Sequence, residues 1–132
     1  MPVDDTLVGR EFPPTPAREV TEESVRDFAE AIGGAYDGSV PPTWPIVLAF
    51  DAMQTFLDAE QLDLFRIIHG EQRFSYERPV RVGDVLSATL TVASLRQIGG
   101  ADIIGTTSAI HDAAGELVCS AKATLVHSGG AA

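Results

Sequence analysis

Residues 46–60 read IVLAFDAMQTFLDAE. Thr43 or Pro45 opens this segment, and proline is tolerated in the first turn of a helix. Its first two turns are apolar nearly all round, which predicts a helix buried on most sides. One such helix in a chain of 132 residues predicts a sheet wrapped around it. Downstream the pattern changes to strands. Residues 72–80 (QRFSYERPV) alternate, and VRVGD (80–84) turns at Gly83-Asp84. Residues 85–97 form a long run of β-formers, followed by Gly99-Gly100. Residues 101–112, the turn 113–115 and residues 116–128 complete four antiparallel strands.

Upstream, residues 1–13 read as a loose lead-in that ends in Pro13-Pro14. Residues 15–20 (TPAREV) suit a short strand, at an edge because of Pro16. Thr21 is an N-cap, with Glu22 and Glu23 at the positive end of the helix that follows. Val25, Phe28, Ala29 and Ile32 mark the buried face of that helix, and Gly33-Gly34 stops it. Residues 35–45 (AYDGSVPPTWP) are a loop. The class is α+β, one domain over 1–132, with 1–5 and 128–132 expected to be flexible.

Composition narrows the function. The net charge of −10 opposes binding to nucleic acid and to anionic membranes. An acidic carrier protein would need a local basic site, for which Arg66, Arg73, Arg78, Arg81 and Arg96 are the candidates. No apolar run reaches the roughly 18 residues of a membrane span. The first residues show neither the basic nor the apolar part of a secretory signal. The single cysteine, Cys119, permits no intrachain disulfide, and a cytoplasmic location is expected. Its small apolar neighbours predict an inert thiol.

The chemistry-bearing stretch is HGEQ, residues 69–72. Three readings stand open. His69 and Gln72 hydrogen-bond at a strand edge or subunit interface; or the stretch lines a substrate pocket; or His69 is a general base with Glu71 or Asp37. Strand residues two apart share a side, so His69 and Glu71 are expected on one face. Asp37 precedes Gly38 and suits a tight turn. His111 and His127 lie in predicted strands without acidic or cysteine neighbours at ligand spacing, so no metal site is expected. There is no glycine-rich phosphate loop and no serine nucleophile motif.

FAEAIGG, PPTW before an apolar helix, HGEQRFSYERPVRVGD, GADII and GELVCSAKATLV occur in that order over roughly residues 6–128. In this the chain resembles the MaoC-like hot-dog proteins. More narrowly it is similar to their non-catalytic unit. That unit forms the N-terminal half of two-domain (R)-specific enoyl-CoA hydratases and one subunit of heterodimeric (R)-3-hydroxyacyl-ACP dehydratases. The resemblance implies a hot-dog fold of the FAS1-type dehydratase N-terminal kind. It implies reversible addition of water to an enoyl-CoA or enoyl-ACP thioester, with no cofactor.

The family's catalytic half carries an Asp and, a few positions on, a His that hold one water between them. Here Asp37 is present but no His follows it before the helix. The resemblance therefore implies no catalytic residue in this chain. A catalytic hot-dog partner would supply the Asp and His, in a heterodimer or heterotetramer. A homodimer remains open. The implied substrate-binding residues are Pro42, Thr43, Trp44, His69, Gly70 and Gln72. The alternatives are an autonomous homodimeric hydratase or thioesterase using His69, or a non-enzymatic acyl-thioester binding module.

Overall fold

The computed structural model describes residues 5–128. Of the two segments expected to be flexible, residues 1–4 and 129–132 lie outside the described residues. Asp5 opens a 3₁₀ turn, Asp5–Leu7, and Ser128 ends the last strand. The elements are β1 (Arg18–Glu19), α1 (Glu22–Ala31), α2 (Ile46–Ala59), β2 (Ile67–Tyr76), β3 (Val85–Ile98), β4 (Ala101–Asp112) and β5 (Leu117–Ser128). They form one five-stranded antiparallel sheet in the order β1-β3-β4-β5-β2. The sheet curls around α2, the hot-dog arrangement the sequence led us to expect.

Strand alternation builds the inner face. Leu86, Ala88, Leu90 and Val92 of β3 are buried, as are Ile104, Thr106, Ser108 and Ile110 of β4. From α2 come Leu48, Met53, Phe56 and Leu57. Each such side chain contributes about 1.5–3 kcal/mol on burial, so this contact is the main hold on the fold. The helix is less enclosed than its composition suggests. Phe50 is 46% exposed, because the sheet of one chain covers only part of the helix surface.

Three expectations are corrected. The described part of the lead-in, from residue 5, is not loose. Its chain runs along β3, with the Gly9 N–H donating to Val92 O at 2.7 Å and the Phe12 N–H to Leu90 O at 2.9 Å. Phe12 packs edge-on against Phe56, with ring centroids 5.0 Å apart. Leu7 and Phe12 carry this packing, but two isolated apolar residues make no readable period. Second, Ile32 leaves the buried face of α1 and is exposed, because the helix ends at Ala31. The Thr21 cap forms as expected, accepting from the Ser24 N–H at 3.1 Å.

Third, β2 starts at Ile67 rather than Gln72 and stops at Tyr76. HGEQ therefore lies inside a strand. That strand is an edge, paired with β5 alone among the described residues. Among the described residues no helix is long and apolar enough to cross a membrane.

Candidate functional site

The strand β2 carries a bulge. His69 pairs with Leu125 and Glu71 pairs with Thr124, so Gly70 is the extra residue. The extra residue resets the alternation of faces. His69 and Gln72, three apart, now point to the same side, and the ring Nε2 lies 2.8 Å from Gln72 Oε1. Glu71 goes to the other face, where it accepts from Arg73 Nη2 at 2.8 Å. The expectation that His69 and Glu71 share a face is thus overturned by one inserted residue. Gly70 itself is not sterically required. A Cβ there would meet Thr124 O at 3.5 Å, an ordinary contact.

His69 and Gln72 border a cleft between α2 and the sheet, roofed by Ala49, Phe50 and Met53. The remaining expected binding residues do not join them there. Trp44 is core, fully buried. Thr43 is exposed, and its carbonyl accepts from the Ile46 N–H at 3.0 Å as the chain enters α2. No side chain caps that helix, whose N-cap is Pro45. Pro42 lies in a separate open groove of about 400 Å³ with Val40, Pro41 and Arg78. Its carbonyl accepts from the Tyr76 hydroxyl, which ties the 40–43 loop to the end of β2. Burial, and then the neighbouring Cys119, push the Tyr76 hydroxyl up to about 12.

Asp37 sits in an exposed turn. Its carboxylate accepts from the Ser39 hydroxyl at 2.6 Å and the Ser39 N–H at 3.0 Å. These bonds, the hydroxyl first, hold its pKa below the usual carboxylate range. Gly38 takes a φ of +96°, which an L side chain rarely adopts. Cys119 is buried, and burial pushes its thiol up to about 11, so it is a protonated, unreactive group at neutral pH.

Two of the candidate arginines are committed to carboxylates. Arg78 donates to Asp84 Oδ2 at 2.9 Å and to Asp112 Oδ2 at 3.4 Å, locking the turn after β2 to the end of β4. Arg73 is held by Glu71. Among the described residues, no group of three or more His, Cys, Asp or Glu side chains is placed to hold a metal ion.

Two features escape the sequence. His127 Nδ1 lies 3.1 Å from Asp102 Oδ2, both buried, and Gln97 Nε2 donates to Asp102 Oδ1 at 2.9 Å. The two residues are 25 apart in the chain and meet only through the β4–β5 register. The second is the buried hydroxyl pair Thr106 and Ser108 on the cleft wall. Its signal was the alternation of Thr and Ser in GTTSAI, where apolar residues would fill a plain core.

Residues 6–121 match the family model described as "FAS1-like, dehydratase domain region". A UPF0336 protein of Streptomyces griseus is 39% identical, with 96% of this chain and 95% of that protein covered. One from Leifsonia xyli is 40% identical, with 96% of each chain covered. Among solved structures, the HadBC (3R-hydroxyacyl-ACP dehydratase) complex of Mycobacterium tuberculosis superposes with a TM-score of 0.78. It is 28% identical, over 96% of this chain and 99% of that one. HtdX of the same organism superposes at 0.77 and 18% identity, over 90% of this chain and 51% of that one, a likeness of fold.

Proposed function

The chain belongs to the FAS1-like dehydratase-region family, and on that premise we propose that it is the substrate-binding, non-catalytic subunit of a two-part enzyme. The reaction is reversible, (R)-specific dehydration of a 3-hydroxyacyl thioester. A second hot-dog chain brings the catalytic Asp and His. The observation that carries this reading is the separation of the two candidate acid–base groups. Asp37 is spent on Ser39 in an exposed turn, and His69 is paired with the neutral amide of Gln72. General acid–base addition of water needs two such groups within about 3 Å of one water.

Three further points support a partner. The outer edge of β2 is unpaired among the described residues, and such an edge readily adds a strand. Phe65 beside it is 96% exposed, and Ile68 within it is exposed too. The structural relative HadBC is itself described as a complex. His69 and Gln72 on this edge would then stand beside the partner's loop and position the thioester. A cytoplasmic setting fits a thioester of CoA or of a carrier protein.

The competing reading is a homodimeric hydratase or thioesterase that uses His69. It needs a carboxylate on that ring, and the ring faces Gln72 instead. The test is hydration of crotonyl-CoA, followed by loss of enoyl absorbance, with mass by light scattering. The chain alone should show no turnover, and a short hot-dog chain bearing the Asp and His should restore it. Turnover by the chain alone would overturn the proposal.

A further inference from the structure

We propose that the cleft between α2 and the sheet is an oxygen-binding subsite, in which Thr106 and Ser108 receive a hydroxyl or carbonyl oxygen carried on the distal part of an acyl chain. This rests on the reading of the chain as a thioester binder and adds the class of acyl group.

The register draws the site. On the inner face Gln72 lies beside Ala123, and Ala123 beside Thr106. One rung further, Phe74 lies beside Ala121, and Ala121 beside Ser108. Thr106 and Ser108 therefore stand two strands in from the edge that holds His69 and Gln72. Two inter-strand spacings make about 10 Å. Between these polar walls stand Ala121 and Ala123, and Leu90 and Leu125 complete the lining.

The far wall is the unusual part. Thr106 and Ser108 are 4% and 3% exposed, flanked by Ile104 and Ile110 in a row whose other buried polar member, Asp102, is paired with His127. Among the described residues no protein group hydrogen-bonds either hydroxyl, and every fully enclosed side-chain polar atom does have a partner. Neither hydroxyl is therefore fully enclosed, and both residues line the cleft. Buried hydroxyls are nearly always hydrogen-bonded. Leaving one unsatisfied costs about 1–3 kcal/mol.

As it stands the cleft holds about 10 Å³, room for one water. Its roof can give way. Phe50 is half exposed and Met53 is flexible. A plain aliphatic tail would exclude water and strand both hydroxyls. A tail with an oxygen near its end would give them a hydrogen-bond partner. Sites built to hydrogen-bond a ligand reject the analogue that lacks the group.

The probes are octanoyl-CoA and ω-hydroxyoctanoyl-CoA, titrated calorimetrically into the full chain and into Thr106→Val/Ser108→Ala. The natural chain should bind the hydroxylated thioester about tenfold tighter, the worth of one net hydrogen bond. The double variant should lose or invert that preference. If it does not fold, judged by a urea melt, the near-isosteric Thr106→Val alone gives the same readout. Equal binding of both probes by the natural chain overturns the subsite and leaves thioester binding standing. A preference that survives in the variant does the same. Binding of neither probe overturns the subsite, and the turnover test with the catalytic partner decides the thioester reading separately.

Discussion

The molecule has two histidine contacts on the inner side of its sheet, and they differ in an instructive way. His127 has a carboxylate partner, Asp102, but both side chains are sealed in the interior. His69 is open to solvent at an edge strand, but its partner is the amide of Gln72. A general base needs both properties at once, a carboxylate to orient the ring and access to the reacting water. Here the two properties are split between two rings at different places in the sheet. One pair holds the structure and the other borders a cleft, and neither is by itself a catalytic pair.

The largest effect should separate them by stability. His127→Ala removes one partner of a buried carboxylate and leaves a void. A loss of about 3 kcal/mol is expected, the low end of the range for a broken buried pair, because Gln97 still donates to Asp102. His69→Ala should cost less than about 1 kcal/mol, as an exposed neutral contact does. Urea midpoints of the two variants check this. A His69→Ala variant as unstable as His127→Ala would erase the distinction.

Arg78 sharpens the comparison, since it too looked like a functional candidate. Its side chain holds Asp84 and Asp112 across two turns. Burial alone would raise the Asp84 pKa, but the Arg78 hydrogen bond, the Arg81 N–H and both arginine charges outweigh it, and the net shift is downward. A carboxylate lowered in the folded state stabilises above its unfolded pKa of about 3.9 and loses that contribution as the pH falls through the folded value. Arg78→Ala should cost about 1–2 kcal/mol at pH 7, less than a fully buried charged pair because solvent still reaches both groups. The gap from the natural chain should close below about pH 4. Asp112 keeps part of its shift in the variant, since the Glu116 N–H is its largest cause. Melts at pH 7 and pH 3 measure the closing. A gap that widened on acidification would reverse the sign.

The fold was legible for a physical reason. The apolar run of α2 and the alternation of β3 to β5 are long, periodic signals, and their bounds fall within a residue or two of the structure. The site was legible only in part. Within HGEQ the faces were misassigned, since one bulge at Gly70 exchanges Glu71 for Gln72. No local pattern announces a bulge that does not need a positive φ. His127 and Asp102 meet through register alone, and register follows from how whole strands pair. Trp44 and Pro42, two positions apart in PPTW, separate into core and groove because the chain turns toward α2 there.

A smaller effect tests the edge in its working context. In the proposed complex with a catalytic partner, Gln72→Ala should leave His69 without its amide partner and weaken thioester binding about three- to tenfold, roughly one net hydrogen bond. The loss should fall on KM more than on kcat, because a positioning group binds ground and transition states alike. A loss confined to kcat would mean that His69 takes part in the chemistry, and the histidine comparison would fail on that side.

The smallest effect is expected at Gly70. The bulge could exist because glycine permits it, or because the pairing of β2 with β5 demands an extra residue of any kind. The backbone at Gly70 is not in the left-handed region. A Cβ would touch Thr124 O and, at 3.9 Å, Val126 Cγ2, without overlap. Gly70→Ala should therefore keep the bulge and leave stability unchanged, or raise it by up to about 0.5 kcal/mol through the stiffer unfolded chain. Thioester binding then decides what the glycine is for. If binding is also unchanged, the substrate is positioned by the His69 and Gln72 side chains that the bulge aims inward. If binding falls while stability holds, a ligand comes against the bare backbone of Gly70. The site would then extend onto the outer edge of β2, on the side away from the cleft.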